Sequence, residues 1–133
     1  MRASVYFYTI KVILYVLAGI AGVTGALALT VGTRLVPSSG SVAASLDNEF
    51  RFFSVFWLFY GIDCFFTANN LGARHDHVRY LAAVMLLAAV ARTSSILLVG
   101  MPASQYSFGA VLEYIFAVLL LISHRRLRHL EPA

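Results

Sequence analysis

The stretch LDNEFRFFSVFWLFYGIDCFFTA (46–68) decides the fold. It opens with Asp47, Glu49 and Arg51, then continues as a row of aromatic and apolar residues interrupted by a single charge, Asp63. The apolar part, from about 50 to 68, approaches the roughly 20 residues that a helix needs to cross a bilayer. Three further runs have the same character, at about 6–31, 78–99 and 107–123. The connectors PSSGS (37–41), NNLGARHDH (69–77) and GMPASQ (100–105) carry helix breakers, and Gly100 followed by Pro102 reads as a stop. In lipid a backbone finds no water, so spanning segments are helices or closed barrels. These runs are too long and too rich in Ala and Leu for barrel strands. The expectation is an all-α integral membrane four-helix bundle. It forms a single transmembrane domain over 1–133, with a basic tail at 124–133.

The composition points the same way. Of 133 residues, 60% are hydrophobic and 12% charged, where soluble domains average about 45–50% and about 25%. The net charge of +4 does not make a nucleic-acid surface, because the basic residues sit at the ends of apolar runs. Cys64 is the single cysteine, so no internal disulfide forms. The first run has a basic start at Arg2 and an Ala26-Leu27-Ala28 stretch that looks like a cleavage site. It exceeds the roughly 7–15 apolar residues of a secretory signal, and is read as a retained helix.

Orientation follows from Lys and Arg. One side collects Arg2, Lys11, Arg74, Arg79, Arg125, Arg126 and Arg128, the other Arg34 and Arg51, with Arg92 inside the third run. The excess favours both termini in the cytoplasm. The tail HRRLRH (124–129) is the strongest of these signals. It also suits anionic headgroups, although topology alone explains it.

Depth then sorts the charges. At 1.5 Å per residue, Arg92 lies about 10 Å and Glu113 about 9 Å below the same surface. The short connector at 100–105 makes the third and fourth helices antiparallel neighbours, so the two side chains share a level. A lone charge there costs at least about 2.5–3.5 kcal/mol, and a guanidinium–carboxylate pair relieves both partners. Asp47, Glu49 and Arg51 enter from the same side, with Ser94, Ser95 and Tyr114 near this level. The expectation is a polar pocket with Arg92 and Glu113 as its floor and LDNEFRFF as its rim. Its ligand-binding candidates are Glu49, Arg51, Arg92, Ser95 and Glu113. The competing reading is that the pair only locks helix register. Asp47 and Asn48 additionally read as caps of the second helix, where its dipole favours acids. Lys11 and Asp63, each about 8 Å from the opposite surface, make a weaker intramembrane pair; Lys11 can instead snorkel to headgroups.

Ala18, Gly22 and Ala26 form a small-residue face suited to close helix approach, inside the molecule or against another subunit. The aromatic residues of the second helix suit a ligand cavity, a protein contact or bundle filling. His75-Asp76-His77 lacks a third ordered ligand and reads as a solvated loop, so no metal and no cofactor is expected. The chain has no HExxH, phosphate loop or nucleophile elbow, and no catalytic residue is assigned.

The segments LDNEFRFFSVFW (46–57), ARTSSILLVGMP (91–102) and Glu113 within LEY carry a resemblance. Nearly the whole chain resembles a bacterial membrane family known as domain of unknown function 4345. The resemblance implies a four-helix protein of the cytoplasmic (inner) membrane, but no activity. Asn48, Glu49, Arg51, Arg92, Gly100, Pro102 and Glu113 match its pattern; Lys11 and Asp63 lie outside it. Three functions compete. One is a binder of an amphipathic lipid or quinone-like molecule. Another is an accessory or assembly subunit of a larger membrane complex, or a homo-oligomer. The last, an enzyme or transporter using Glu113 or Asp63 as proton carrier, ranks lowest because no inverted repeat or broken helix is visible.

Overall fold

A computed structural model describes residues 2–36 and 43–130, with side chains over 4–36 and 43–129. The connector at 37–41 and the last residues of the tail, 131–133, lie outside the described residues. The protein is all-α. Four long helices are joined by shorter helical pieces: α1 (Arg2–Val31), α2 (Ala44–Asn69), α3 (Leu71–Arg74), α4 (Val78–Val99) and α5 (Ser104–Leu130). Tight 3-10 turns occupy Gly32–Leu35 and His75–His77. Four segments are long and apolar enough to cross a membrane, Ser4–Leu35, Ala44–Asn69, Leu71–Val99 and Ser104–His129. The chain is thus a small multi-pass helical membrane protein in contact with lipid.

Two helices are longer than the hydropathy of their runs suggests. α2 starts at Ala44, so the charged residues of LDNEFRFF sit inside the helix. α5 carries the basic tail onward as helix to Leu130. The connector at 69–77 is helical too, because Leu71 and Val78 are both buried and pin its ends. α4 stops where the sequence indicates. Gly100 takes φ +115°, and its N–H still donates to Ile96 O at 3.1 Å.

The described chain forms two compact units, Leu14–Ala68 and Met1–Ile13 with Asn69–Ala133. In the first, α1 meets α2 through small residues. A methyl group on Gly61 would lie 2.7 Å from Gly22 N and 3.1 Å from Ala18 O, and one on Gly25 would lie 2.9 Å from Leu58 Cα. The small-residue face of α1 is therefore used inside this unit. Trp57 stacks on Tyr60 with ring centroids 5.4 Å apart and donates from Nε1 to Thr24 Oγ1 at 2.7 Å.

In the second unit α4 and α5 run antiparallel. The buried positions Ala110, Glu113, Ala117, Leu120, His124 and Leu127 follow alternating steps of three and four along α5, and Val78, Ala82, Met85 and Ala89 do so along α4. That spacing is the seam of a closely packed helix pair. Glu113 and His124 are polar residues set into it.

Candidate functional site

The charged residues of LDNEFRFF act on the end of α1. The chain leaves α1 through Gly32, whose φ of +68° no side chain adopts cheaply. This turn exposes the last carbonyls of α1 and the N–H of Thr33, groups that a helix end leaves without partners. Asp47 Oδ1 accepts from Thr33 N and from Thr33 Oγ1, each at 2.8 Å. Asp47 Oδ2 accepts from Arg51 Nε at 2.7 Å. Arg51 Nη1 then donates to Leu29 O at 2.5 Å and Thr30 O at 3.1 Å. One ion pair, one helical turn apart on α2, thus satisfies both the acceptors and the donor at the exit of α1. A Cβ on Gly32 would run into Asp47 Oδ1 and Arg51 Nη2, so the turn and the ion pair require each other.

The cap role expected of Asp47 is therefore directed to a different helix. α2 begins before it, with Ala43 O accepting from Leu46 N and Asp47 N. Asp47 and Asn48 lie within the first turns of α2 instead of flanking it, and Asn48 and Glu49 are exposed. Thr33 and Gly32 were not singled out by sequence. The available signal was a glycine closing a long apolar run one residue before a threonine, with Asp and Arg four apart on the next helix.

The second cluster belongs to the α4–α5 unit. Arg92 Nε donates to both oxygens of Glu113, at 2.9 Å and 3.0 Å. The equal depth inferred from the short connector is thus realised as a contact. One nitrogen serves both oxygens, in place of the two parallel bonds that a guanidinium can offer a carboxylate. Among the described residues the two Nη groups of Arg92 make no hydrogen bond. Glu113 is nearly enclosed, its side chain 7% exposed, whereas that of Arg92 is 40% exposed. At the next residue of each helix, Thr93 Oγ1 and Tyr114 Oη share a hydrogen bond of 3.1 Å, and Thr93 Oγ1 also donates to Ala89 O at 2.9 Å. Ser95 is exposed, and Ser94 donates to Val90 O at 3.0 Å. Arg92 and Glu113 are thus brought together in one unit, and Asp47 and Arg51 in the other. Lys11 and Asp63, both half-buried, likewise fall in different units.

Most of the aromatic residues of α2 are not core. Phe52, Phe53, Phe56, Phe59, Phe65 and Phe66 are all exposed, and only Tyr60 of the run is buried. Phe65 still packs edge-on against Tyr15 of α1, with ring centroids 6.1 Å apart.

The third cluster lies at the other end of the α4–α5 hairpin, around the turn at His75–His77. Asp76 Oδ1 is 3.4 Å from Arg79 Nη2, 3.7 Å from His124 Nε2 and 3.8 Å from Arg128 Nη1. The His75 and His124 rings stack with centroids 6.1 Å apart. The segment read as a solvated loop is a structured ionic turn.

The family described as "Domain of unknown function (DUF4345)" matches residues 9–124, so the chain belongs to it. No curated protein and no solved structure matches the chain.

Proposed function

We propose that this member of the family holds an amphipathic molecule by its polar end, a lipid or quinone-like compound, through Arg92. The observation that carries this reading is the division of the Arg92 guanidinium. Nε is spent on Glu113, while the Nη groups carry four N–H donors with no protein acceptor among the described residues. The side chain is partly exposed within an apolar span. Donors in that position seek an acceptor that water does not readily supply. Glu113 holds the guanidinium in place and offsets part of its charge, so the ligand needs no full negative charge; a polarised carbonyl or phosphate oxygen suffices. Ser95, exposed three residues further along α4, is a secondary contact in this reading. Arg51, whose Nε and Nη1 are already engaged, and Glu49 stand further from such a role. By the distribution of Lys and Arg, both termini lie in the cytoplasm and the site opens to the outer side of a bacterial inner membrane. Reporter fusions at the two ends check that orientation.

The test is mass spectrometry of the protein released gently from membranes. A co-purifying small molecule present in wild type and absent from Arg92→Gln, with helical content unchanged, supports the reading. If Arg92→Met and Glu113→Leu each unfold the protein while the double substitution restores it with nothing bound to either form, the pair only locks register and the reading fails.

The accessory-subunit reading has one observation of its own, the exposed phenylalanines of α2. A constant protein partner in the same mass spectra, lost on replacing Phe56 and Phe59 by Leu, favours it.

A further inference from the structure

At the end of the α4–α5 hairpin remote from Arg92, a cavity of about 500 Å³ is lined by Arg79, Leu121, His124, Arg125, Arg128 and His129. Ligand sites commonly measure about 300–1,000 Å³. Five of these residues come from α5, at positions 121, 124, 125, 128 and 129, which is one continuous helical stripe. Arg79 faces them from the first turn of α4. Positive charge at a helix end is what topology requires, but topology does not require convergence. Arg126, on the opposite side of α5, serves it equally well and lines nothing here.

The arginines in the cavity are not saturated. Among the described residues Asp76 is the acidic residue that contacts them, and its separations from Arg79 and Arg128, 3.4 Å and 3.8 Å, exceed the roughly 2.7–2.9 Å of a charge-assisted hydrogen bond. Arg79, Arg125 and Arg128 make no hydrogen bond among the described residues. Three guanidinium groups thus line the space beside one described carboxylate. A second unsatisfied group lies beside the same space. His124 is 4% exposed, and its Nε2 is buried without a hydrogen-bond partner. Burying an unpartnered polar nitrogen is costly, and its ring is fixed by the stack on His75. Leu121, deeper along α5, gives the cavity one apolar wall.

We propose that this cavity is a site for a phosphate group, held by Arg79, Arg125 and Arg128, with the His124 ring as part of its wall. Guanidinium forks match the tetrahedral oxygens of phosphate. Asp76 positions Arg79 and Arg128 without competing for their close hydrogen bonds. The apolar wall suits a phosphate that carries an acyl tail, and basic pockets between helices on the cytoplasmic side take such headgroups. The same donors also suit free inorganic phosphate.

Binding is measured on the purified full chain in neutral detergent, with inorganic phosphate as one probe and nanodiscs of phosphatidylcholine with or without cardiolipin as the other. Saturable binding of cardiolipin but not of phosphate identifies a lipid headgroup; binding of both identifies a general phosphate site. In either case Arg79→Gln with Arg128→Gln weakens binding about tenfold or more, and Arg126→Gln, which removes the same charge from the other face, leaves it within about twofold. If the double variant does not fold, Arg79→Lys with Arg128→Lys keeps the charge and removes the forks, and binding weakens several-fold. Absence of saturable binding to both probes overturns the site. So does an Arg126→Gln loss equal to that of the cavity variants, because the attraction is then only the charge of the tail.

Discussion

Gly32→Ala tests the connection between the turn that leaves α1 and the ion pair on α2. The substitution has two costs. The backbone is at φ +68°, where a Cβ costs about 1–2 kcal/mol. The new methyl also collides with Asp47 Oδ1 and with Arg51 Nη2 and Cζ. These are ends of side chains and can swing away, but doing so breaks the two bonds from Thr33 to Asp47 and loosens Arg51 over the carbonyls of Leu29 and Thr30. Hydrogen bonds to charged groups are worth about 1.5–3 kcal/mol each when enclosed. The Asp47 and Arg51 side chains are 31% and 38% exposed, so water competes for these bonds, and their loss adds to the backbone strain of about 1–2 kcal/mol. In an Asp47→Ala background the Thr33 bonds are already gone, and what remains is the backbone strain, about 1–2 kcal/mol, with the displacement of Arg51. Gly19→Ala, with nothing within 4 Å of the new methyl, stays within about 1 kcal/mol of wild type. The assay is unfolding in mixed micelles, followed by helical circular dichroism as denaturing detergent is added. A Gly32→Ala cost below about 1 kcal/mol, or the same cost in both backgrounds, refutes the coupling.

Gly61→Val places branched carbons against Gly22 N and Ala18 O and is expected to cost about 1–3 kcal/mol in the same unfolding assay, as overpacking does; Gly72→Val, in open space, serves as the comparison. Tyr114→Phe removes the hydroxyl 3.1 Å from Thr93 Oγ1 and is expected to cost about 0.6 kcal/mol, the average for such bonds in membranes. Because Thr93 keeps its bond to Ala89 O, the cost disappears when Thr93 is first replaced by Ala.

Much of this arrangement was legible in the sequence because lipid leaves few choices. Long apolar runs separated by Gly and Pro could only be helices, and the short connector at 100–105 set Arg92 level with Glu113. Which face of each helix is buried was not legible. Leu87, Leu97 and Val90 are exposed while Leu81 and Met85 are buried, and hydropathy cannot separate them, because lipid and protein core accept the same side chains. Asp47 and Arg51 were visible as charges at a helix mouth, but neither their pairing nor its target was. Its acceptors are backbone carbonyls of another helix, which carry no sequence signature; the positive φ at Gly32 that exposes them is a property of the fold. His124 was read as one basic residue of a tail, because the extension of α5 through that tail, and hence the stripe it shares with Arg125 and Arg128, rests on packing against the turn at Asp76.

The ion pair at the exit of α1 also bears on how the chain enters the bilayer. Inserted by itself, α2 would bring Asp47 and Arg51 to the membrane with their outward hydrogen-bonding groups facing no protein acceptor or donor. Once α1 is in place, its terminal carbonyls and the Thr33 amide absorb both. The two helices therefore complete each other, and neither satisfies its own polar groups at this end alone.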